Sequence, residues 1–399
     1  MGEAQTRARC HTGIYPPDDA WQRKRVRQDD RRYLVDVFSI AKAPTGQGER
    51  MTLPPIAMPL AVLSLVAPSL WSRADATGAV PAAAPTAAQD DAQSRDIFVS
   101  LRAVDLRMAT IAYRLTTRNA ALCRDLSPTP GWVLHSLGQY DPTLRTAARQ
   151  VFGFSTPIAV EAVVSDSPAS QAGVRANDSL MIIGDAPVGT TDPGDSAAVS
   201  TARDAILARI AAMPADQPIR ATIAHDGVSR AVVMPASPGC KSNFEVLLGP
   251  DLTASADGSI VQIGVRFFER YRDDEVAVVV AHELAHNILR HRARLDAAKV
   301  SRGLFAELGR NGRLFRQTED DADLLGMYLL RNAGYDPQTA VAFWRAHGGD
   351  VDGGLFRSRT HRSASARARR IADEIALIPP GAPMPYIPPI LATRDQPLE

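Results

Sequence analysis

The pentapeptide His-Glu-Leu-Ala-His at residues 282–286 constrains the fold of this chain more than any other feature. Its two histidines are four residues apart, a spacing that brings side chains to one face of an α-helix, one turn apart. Two imidazoles placed in this way can share one Zn²⁺, while Glu283 can accept a proton from an attacking water. The motif therefore predicts a helix on which His282 and His286 face the same space.

Residues 274–292 have the pattern of such a helix. Asp273 and Asp274 suit the start of a helix, and basic residues suit its end. Apolar residues recur at helical spacing through the segment, at Val276, Val279, Val280, Leu284, Ile288 and Leu289. The motif alone leaves a second interpretation open, because such pentapeptides also arise by chance on amphipathic helices.

Length and composition restrict the class of protein. The 399 residues predict about two or three domains. The hydrophobic fraction of 45% and the charged fraction of 22% indicate a globular chain rather than a disordered one. A net charge of +1 gives no reason to expect nucleic acid or an anionic membrane as a partner. Many prolines lie toward the two ends, which we therefore expect to be poorly packed.

The N-terminal stretch predicts an exported protein. Residues 1–50 are interpreted as a disordered leader or a misassigned translation start, and residues 51–76 as a signal peptide. Within it, residues 56–71 are apolar but too short and proline-broken for a good spanning helix, and residues 74–76 match a cleavage site. We expect a periplasmic location, with an uncleaved membrane anchor over 56–71 as the alternative. Residues 77–94 are Ala/Pro-rich and predict a linker.

Residues 95–149 predict an N-terminal helical segment that packs on the C-terminal domain. Cys123 follows the predicted helix, Cys240 comes much later, and Cys10 lies in the leader. In an exported chain without its leader, the remaining pair favours a Cys123–Cys240 disulfide. Two unpaired buried thiols remain the alternative.

Residues 150–238 predict a β-rich unit, with a hairpin turn at Asp226-Gly227. Three parts of it, Ser167-Pro168-Ala169, Ala172-Gly173-Val174 and Asp178, resemble PDZ domains of the bacterial protease type. The resemblance implies that an extended peptide binds by adding a strand to a sheet edge. A small spacer without a ligand is the alternative.

Two strands are predicted between this unit and the helix that carries the pentapeptide. Residues 244–249 and 259–269 alternate like strands, with Asp257-Gly258 as the turn between them. We expect residues 260–266 to offer an open sheet edge to a substrate peptide.

A catalytic zinc needs a third protein ligand. Residues 318–337 predict a helix with four acidic residues in its first turns: Glu319, Asp320, Asp321 and Asp323. The helix dipole accounts for Glu319 and Asp320 there, but it accounts poorly for Asp323, which adjoins the apolar face.

The two motifs together, HELAH followed by E-x-x-A-D, resemble gluzincin zinc metallopeptidases of the CAAX prenyl protease, HtpX and BepA-like family. The resemblance implies that Glu319 is the third zinc ligand. It also implies that Asp323, on the same helix face, accepts a hydrogen bond from a zinc-bound histidine, His282. Asp320 and Asp321 are assigned solvent or structural roles.

A later segment, residues 360–371, resembles the family's histidine segment, in which an arginine follows six residues after the histidine. His361 and Arg367 match these two positions, whereas Arg362 and Ala368 differ from the family pattern. The resemblance implies that His361 lies at the active site, where it gates the metal or stabilises the oxyanion. The other histidines are assigned no ligand role: His135, His225, His291 and His347.

The predicted fold is α+β: a mostly helical zincin-type metallopeptidase domain with a small sheet over 239–378, preceded by the β-rich PDZ-like domain over 150–238. A Pro-rich tail follows over 379–399. The predicted function is that of an exported zinc metalloendopeptidase, with one Zn²⁺ per chain, that cleaves unfolded or misfolded envelope proteins captured by the PDZ-like domain. Association with envelope membrane proteins is expected, and nucleic acid is not. Two alternatives stay open: a peptide-binding, chaperone-like factor with a latent metal site, and a membrane-anchored processing protease.

Overall fold

The computed structural model describes residues 87–189, 192–194, 196–300, 309–351 and 362–398. The predicted leader, the signal peptide and His361 all lie outside these residues. Among the helices that the structure does describe, none is both long enough and apolar enough to cross a bilayer.

Helices and strands are mixed along the chain. The helices are α1 Ala87–Arg118, α2 Arg145–Phe152, α3 Pro168–Gln171, α4 Thr201–Ala211, α5 Val265–Arg270, α6 Asp273–Ile288, α7 His291–Ala297, α8 Gly309–Asn332, α9 Gln338–Val351 and α10 Ala364–Ala376. The strands are β1 Leu126–Pro128, β2 Trp132–Ser136, β3 Ile158–Val163, β4 Ser179–Ile183, β5 Ala186–Pro187, β6 Ile219–His225, β7 Val228–Met234, β8 Pro238–Cys240, β9 Asn243–Leu247, β10 Ala254–Ala256 and β11 Ile260–Gly264.

A six-stranded sheet, which we call the six-stranded unit (residues 132–234), forms the middle of the chain. Its strand order is β2-β3-β4-β6-β7, with β5 beside β4, and all of its pairs are antiparallel. The predicted boundary at residue 150 is wrong, because β2 precedes it and pairs with β3 from Trp132 opposite Val163. The predicted hairpin turn joins β6 to β7, with Asp226 and Gly227 both at positive φ.

A second sheet of three strands leads into the helix that carries the pentapeptide. Its order is β10-β11-β9, with β11 antiparallel to β10 and parallel to β9. The strand predicted over 259–269 ends at Gly264, and α5 begins at the next residue. Phe267 and Phe268 are adjacent and both buried, and in this structure they lie in a helical turn rather than in a strand. The expected open edge over 260–266 is also wrong, since β11 is the central strand. The outer strands of this sheet are β9 and β10.

The first long helix links the two parts of the chain. Phe98 near its start joins the aromatic cluster of the six-stranded unit, while Ile111 and Leu115 belong to the larger core around α6. The helix already includes residues 87–94, which were predicted to be a linker. Beyond its end, Cys123 and Cys240 form a disulfide with their Cα atoms 5.4 Å apart.

The larger core surrounds α6, which packs against α8, α9 and α1. Gly326 lies where α8 crosses α6, and a Cβ atom there would be 3.2 Å from the Cα atom of His282. This glycine therefore permits the close approach of the two helices. The predicted helix end at residue 292 is wrong: α6 ends at Ile288, Arg290 adopts a left-handed conformation with φ of 55°, and α7 begins at His291.

Two further expectations change at the C-terminal end. Helix α8 begins at Gly309, so the acidic residues from Glu319 onward lie in its middle, where the dipole of a helix start does not act. The prediction of a poorly packed C-terminus is wrong, because Leu391 and Leu398 are both buried. Asn332 of α8 also donates a hydrogen bond to the carbonyl oxygen of Tyr386 at 2.9 Å.

Candidate metal centre

The two buried helices α6 and α8 bring three donor side chains together. The Nε2 atoms of His282 and His286 are 3.2 Å apart. Glu319 places one carboxylate oxygen 3.2 Å from Nε2 of His282 and the other 3.6 Å from Nε2 of His286. Among the described residues, these three form a group of donors able to hold a metal ion, with one donor atom from each within 4.8 Å of the others.

The geometry and chemistry of this group fit zinc. A tetrahedral zinc site with bonds near ~2.1 Å has its ligand atoms roughly 3.4 Å apart. The two Nε2 atoms are 3.2 Å apart, and they lie 3.2 and 3.6 Å from different oxygens of the Glu319 carboxylate, so the donor atoms are close to that spacing. Two imidazoles and one carboxylate also form a usual set for a catalytic zinc, and three protein ligands leave a fourth position for water.

The ring of His282 is oriented by a carboxylate on its far side. Asp323 lies four residues after Glu319 on α8 and places Oδ1 3.1 Å from Nδ1 of His282. Because the carboxylate accepts the Nδ1 proton, the lone pair of Nε2 points toward the other donors. This is the contact that the family resemblance implied for Asp323.

Arg367 of α10 holds Asp323 in turn. Its Nε and Nη2 atoms donate to the two carboxylate oxygens of Asp323 at 2.7 and 2.6 Å. The guanidinium carbon of Arg367 lies 3.4 Å from the ring centroid of Trp344. The residues therefore form a buried chain from Trp344 through Arg367 and Asp323 to His282, which fixes the ring that presents the donor nitrogen.

The charges in this chain shift both ionisable groups. Burial by itself would raise the pKa of Asp323, but the adjacent Arg367 and His282 lower it to about 2. Burial would lower the pKa of His282, yet its hydrogen bonds to Asp323 and Glu319 raise it to about 10. The surroundings of His282 thus favour positive charge at this ring, and a divalent cation at Nε2 would take the place of the proton.

His286 has a different partner, one that was not expected from the sequence. Its Nδ1 atom lies 2.9 Å from Nδ1 of His291, and His291 is only 1% exposed. Burial lowers the pKa of His291 well below its ordinary value, so this ring is neutral. The prediction of one continuous helix over residues 274–292 misplaces His291, because the chain turns at Arg290. Arginine at a left-handed position gives no sequence signal for such a turn.

The remaining predicted site residues are placed as follows. Glu283 is 9% exposed on α6, directly after His282. Asp321 is half-buried, and burial raises its pKa. Asp320 accepts a hydrogen bond from Arg362 at 2.6 Å. His361 lies outside the described residues.

The other histidines have partners elsewhere. The side chains of His135, His225 and His347 lie near Tyr140, Asp178 and Glu275 respectively, with closest approaches of 2.8, 2.8 and 3.5 Å. None of these three histidines belongs to the group of donors on α6 and α8.

Known proteins with similar sequences were found for part of the chain. No protein-family model matches it. The chain is 32% identical over 122 residues to the mitochondrial metalloendopeptidase OMA1 of Schizosaccharomyces pombe, covering 25% of this chain and 36% of that protein. It is 30% identical over 124 residues to the protein of the same name from Arabidopsis thaliana, covering 25% of this chain and 24% of the relative. The class of both relatives agrees with the metallopeptidase class predicted from the two motifs.

Proposed function

We propose that this protein is a zinc-dependent metalloendopeptidase that hydrolyses peptide bonds in unfolded or misfolded proteins. The observation that carries the proposal is the convergence of His282, His286 and Glu319 at zinc-compatible separations of 3.2 to 3.6 Å. The similarity to two metalloendopeptidases supports the same class, although the chain spans only 36% and 24% of their lengths.

The side chains of the site divide the chemistry between them. When bound, Zn²⁺ supplies the Lewis acidity that activates a water and polarises the scissile carbonyl. Glu283 accepts a proton from the attacking water and delivers it to the leaving amine nitrogen. Asp323 and Arg367 keep the proton of His282 on Nδ1. The lone pair of Nε2 therefore stays available to the metal throughout the reaction.

We assign His361 the role of stabilising the negative oxygen of the tetrahedral intermediate. The next residue along the chain supports this role. Arg362 is tied to Asp320, which directly follows the ligand Glu319 on α8. The side chain of Arg362, one residue after His361, therefore contacts the helix that carries Glu319.

The six-stranded unit is proposed to be PDZ-like and to hold extended segments of substrate. Its sheet ends in the outer strands β2 and β7, and α4 packs beside β2. This unit is also tied to the peptidase part, because Arg203 of α4 lies 3.3 Å from Glu245 of β9. Glu245 in turn accepts a hydrogen bond from Gln262 of β11 at 2.8 Å. A segment held by the unit would stay close to the sheet that leads into α6.

Export to the periplasm, with envelope proteins as substrates, is part of the proposal. The Cys123–Cys240 disulfide supports it, because disulfides persist in oxidising compartments. The apolar stretch at residues 56–71 supports either a cleaved signal or a retained anchor. Mass spectrometry of the mature N-terminus distinguishes the two: a start near residue 77 supports cleavage, and retention of 56–71 supports the anchor.

The proposed activity is tested with purified protein and casein as the unfolded substrate. Wild-type protein should cleave casein, stop when a chelator removes the metal, and recover when zinc is restored. Glu319→Gln should lose both zinc and cleavage. Asp321→Asn is the matched control, because it removes a carboxylate from the same helix outside the donor group, and it should retain both. Cleavage that continues in the chelator, or that Glu319→Gln leaves unchanged, would overturn the proposal.

A further inference from the structure

A turn of the backbone folds one histidine back onto a metal ligand. Helix α6 ends at Ile288, and Arg290 adopts φ of 55° and ψ of 36° before α7 begins at His291. As a result the ring of His291 stands against that of His286, with centroids 4.9 Å apart and planes at 79°. The closest atoms are the two Nδ1 nitrogens at 2.9 Å.

A hydrogen bond between two ring nitrogens requires one donor and one acceptor. If His286 presents the lone pair of Nε2 to a metal, its proton is on Nδ1, and it is the donor. His291 then accepts at Nδ1 and carries its own proton on Nε2. That Nε2 atom is buried and has no hydrogen-bond partner among the described residues.

The unpartnered nitrogen argues against a role in packing alone. Leaving a buried N–H without an acceptor is unfavourable, and an apolar side chain of similar size would fill this space without that disadvantage. A histidine at this position is therefore explained if its Nδ1 atom makes a functional hydrogen bond. The only ring nitrogen of His291 with a described hydrogen-bond contact is the one that faces His286.

We propose that His291 is a positioning residue for the metal ligand His286: its Nδ1 atom accepts the Nδ1 proton of His286 and so holds Nε2 of His286 ready for coordination. The two histidine ligands would then be oriented by different groups, His282 by the carboxylate of Asp323 and His286 by the imidazole of His291. The inference rests on the metal centre proposed above, and it goes beyond it by giving a task to a residue that does not touch the metal.

Three substitutions of His291 separate this role from simple packing. The side-chain oxygen of Asn can occupy the place of Nδ1, that of Gln reaches the place of Nε2, and Leu has no acceptor. We expect His291→Leu and His291→Gln to weaken zinc binding by about tenfold to a hundredfold, as is usual when the partner of a ligand histidine is lost. His291→Asn should remain within about threefold of wild type. The measurement is the zinc dissociation constant, from competition with a chromophoric chelator.

A second readout excludes a general loss of stability. The thermal midpoint of each variant is measured in chelator and again in saturating zinc. A residue needed only for packing lowers both midpoints equally, whereas a positioning residue reduces the rise that zinc produces. We expect a smaller rise for His291→Leu and an unchanged rise for His291→Asn. If His291→Leu does not fold, the same two quantities, the zinc affinity and the rise of the thermal midpoint with zinc, are compared between His291→Gln and His291→Asn. A positioning role predicts lower values of both for His291→Gln.

The outcomes distinguish this inference from the proposed function. Zinc affinities of Leu and Gln variants within about threefold of wild type would overturn the inference and leave the metallopeptidase proposal standing. Equal affinities of the Asn and Gln variants would do the same. A wild-type protein that binds no zinc would overturn the metal centre, and this inference with it.

Discussion

Replacing Arg367 by Met tests how the site holds its first ligand. Arg367 is 3% exposed and Asp323 is 6% exposed, so the substitution leaves a buried carboxylate without its cationic partner. Removing one partner of a buried ion pair typically costs about 3–5 kcal/mol of unfolding free energy. Burial then acts on Asp323 without the opposing charge of Arg367, so its pKa rises above the value of about 2.

The same change should reach the metal centre through His282. With Asp323 no longer held by two hydrogen bonds, its own contact to Nδ1 of His282 loosens. We expect zinc affinity to fall by about tenfold to a hundredfold. The assays are urea unfolding in chelator for the free energy and chelator competition for zinc. Arg369→Met is the matched control, because Arg369 is an exposed neighbour on α10, and its free energy should change by less than about 0.5 kcal/mol.

A double substitution separates stability from zinc binding. Arg367→Met combined with Asp323→Leu replaces the ion pair by apolar groups, which is often neutral for stability. The double variant should recover most of the unfolding free energy but none of the zinc affinity, because His282 still lacks its acceptor. The account of the buried contacts from Trp344 to His282 would be contradicted by two results for Arg367→Met alone. These are an unfolding free energy within about 1 kcal/mol of wild type and a zinc affinity equal to wild type.

Three further predictions concern other parts of the chain. The Cys123–Cys240 bond closes a loop with a sequence separation of 117, so Cys123→Ser with Cys240→Ser should lower the unfolding free energy by about 5 kcal/mol in urea titrations; a loss under about 1 kcal/mol would contradict this. Burial and Arg102 hold the pKa of His135 well below its ordinary value, so only the unfolded chain takes up a proton below about pH 6.5 and stability falls there. His135→Asn in chelator should therefore reduce the slope of unfolding free energy against pH by up to about 1.4 kcal/mol per unit, and an unchanged slope would show that His135 is not the group. Gly326→Val should push α8 away from α6 and weaken zinc binding at least about tenfold, whereas zinc affinity equal to wild type would mean that the helix crossing tolerates a side chain.

The two histidine donors could be predicted because they depend on local helical spacing: His282 and His286 are one turn apart on α6. The roles of Glu319 and Asp323 were implied by the resemblance of the two motifs to a known family. Helical spacing places these two residues on one face of α8, but it does not select them among the acidic residues there. The hairpin turn at residues 226–227 was also predictable locally, since its residue types favour the backbone conformation of the turn.

Features that depend on distant pairing were not predictable from the local pattern. Residues 260–264 alternate like any half-buried strand, and only the pairing with β9 and β10 makes this strand central. The strand at 132–136 reads as part of a helical segment until its pairing with β3 is known. The position of His291 was not predicted because Arg290 is not a residue type that indicates a turn. The packing of the C-terminal tail was not predicted because its prolines do not indicate that Leu391 packs against the core.

The central claim is that a zinc centre with Glu283 as its base cleaves peptide bonds. The most direct measurement compares casein cleavage by zinc-loaded wild type and Glu283→Gln, with the zinc content of both proteins determined on the same samples. The account predicts about one zinc per chain in both proteins and a loss of cleavage of at least about a hundredfold in the variant, since a general base contributes roughly that much or more. Cleavage by zinc-loaded Glu283→Gln at the rate of wild type would contradict it.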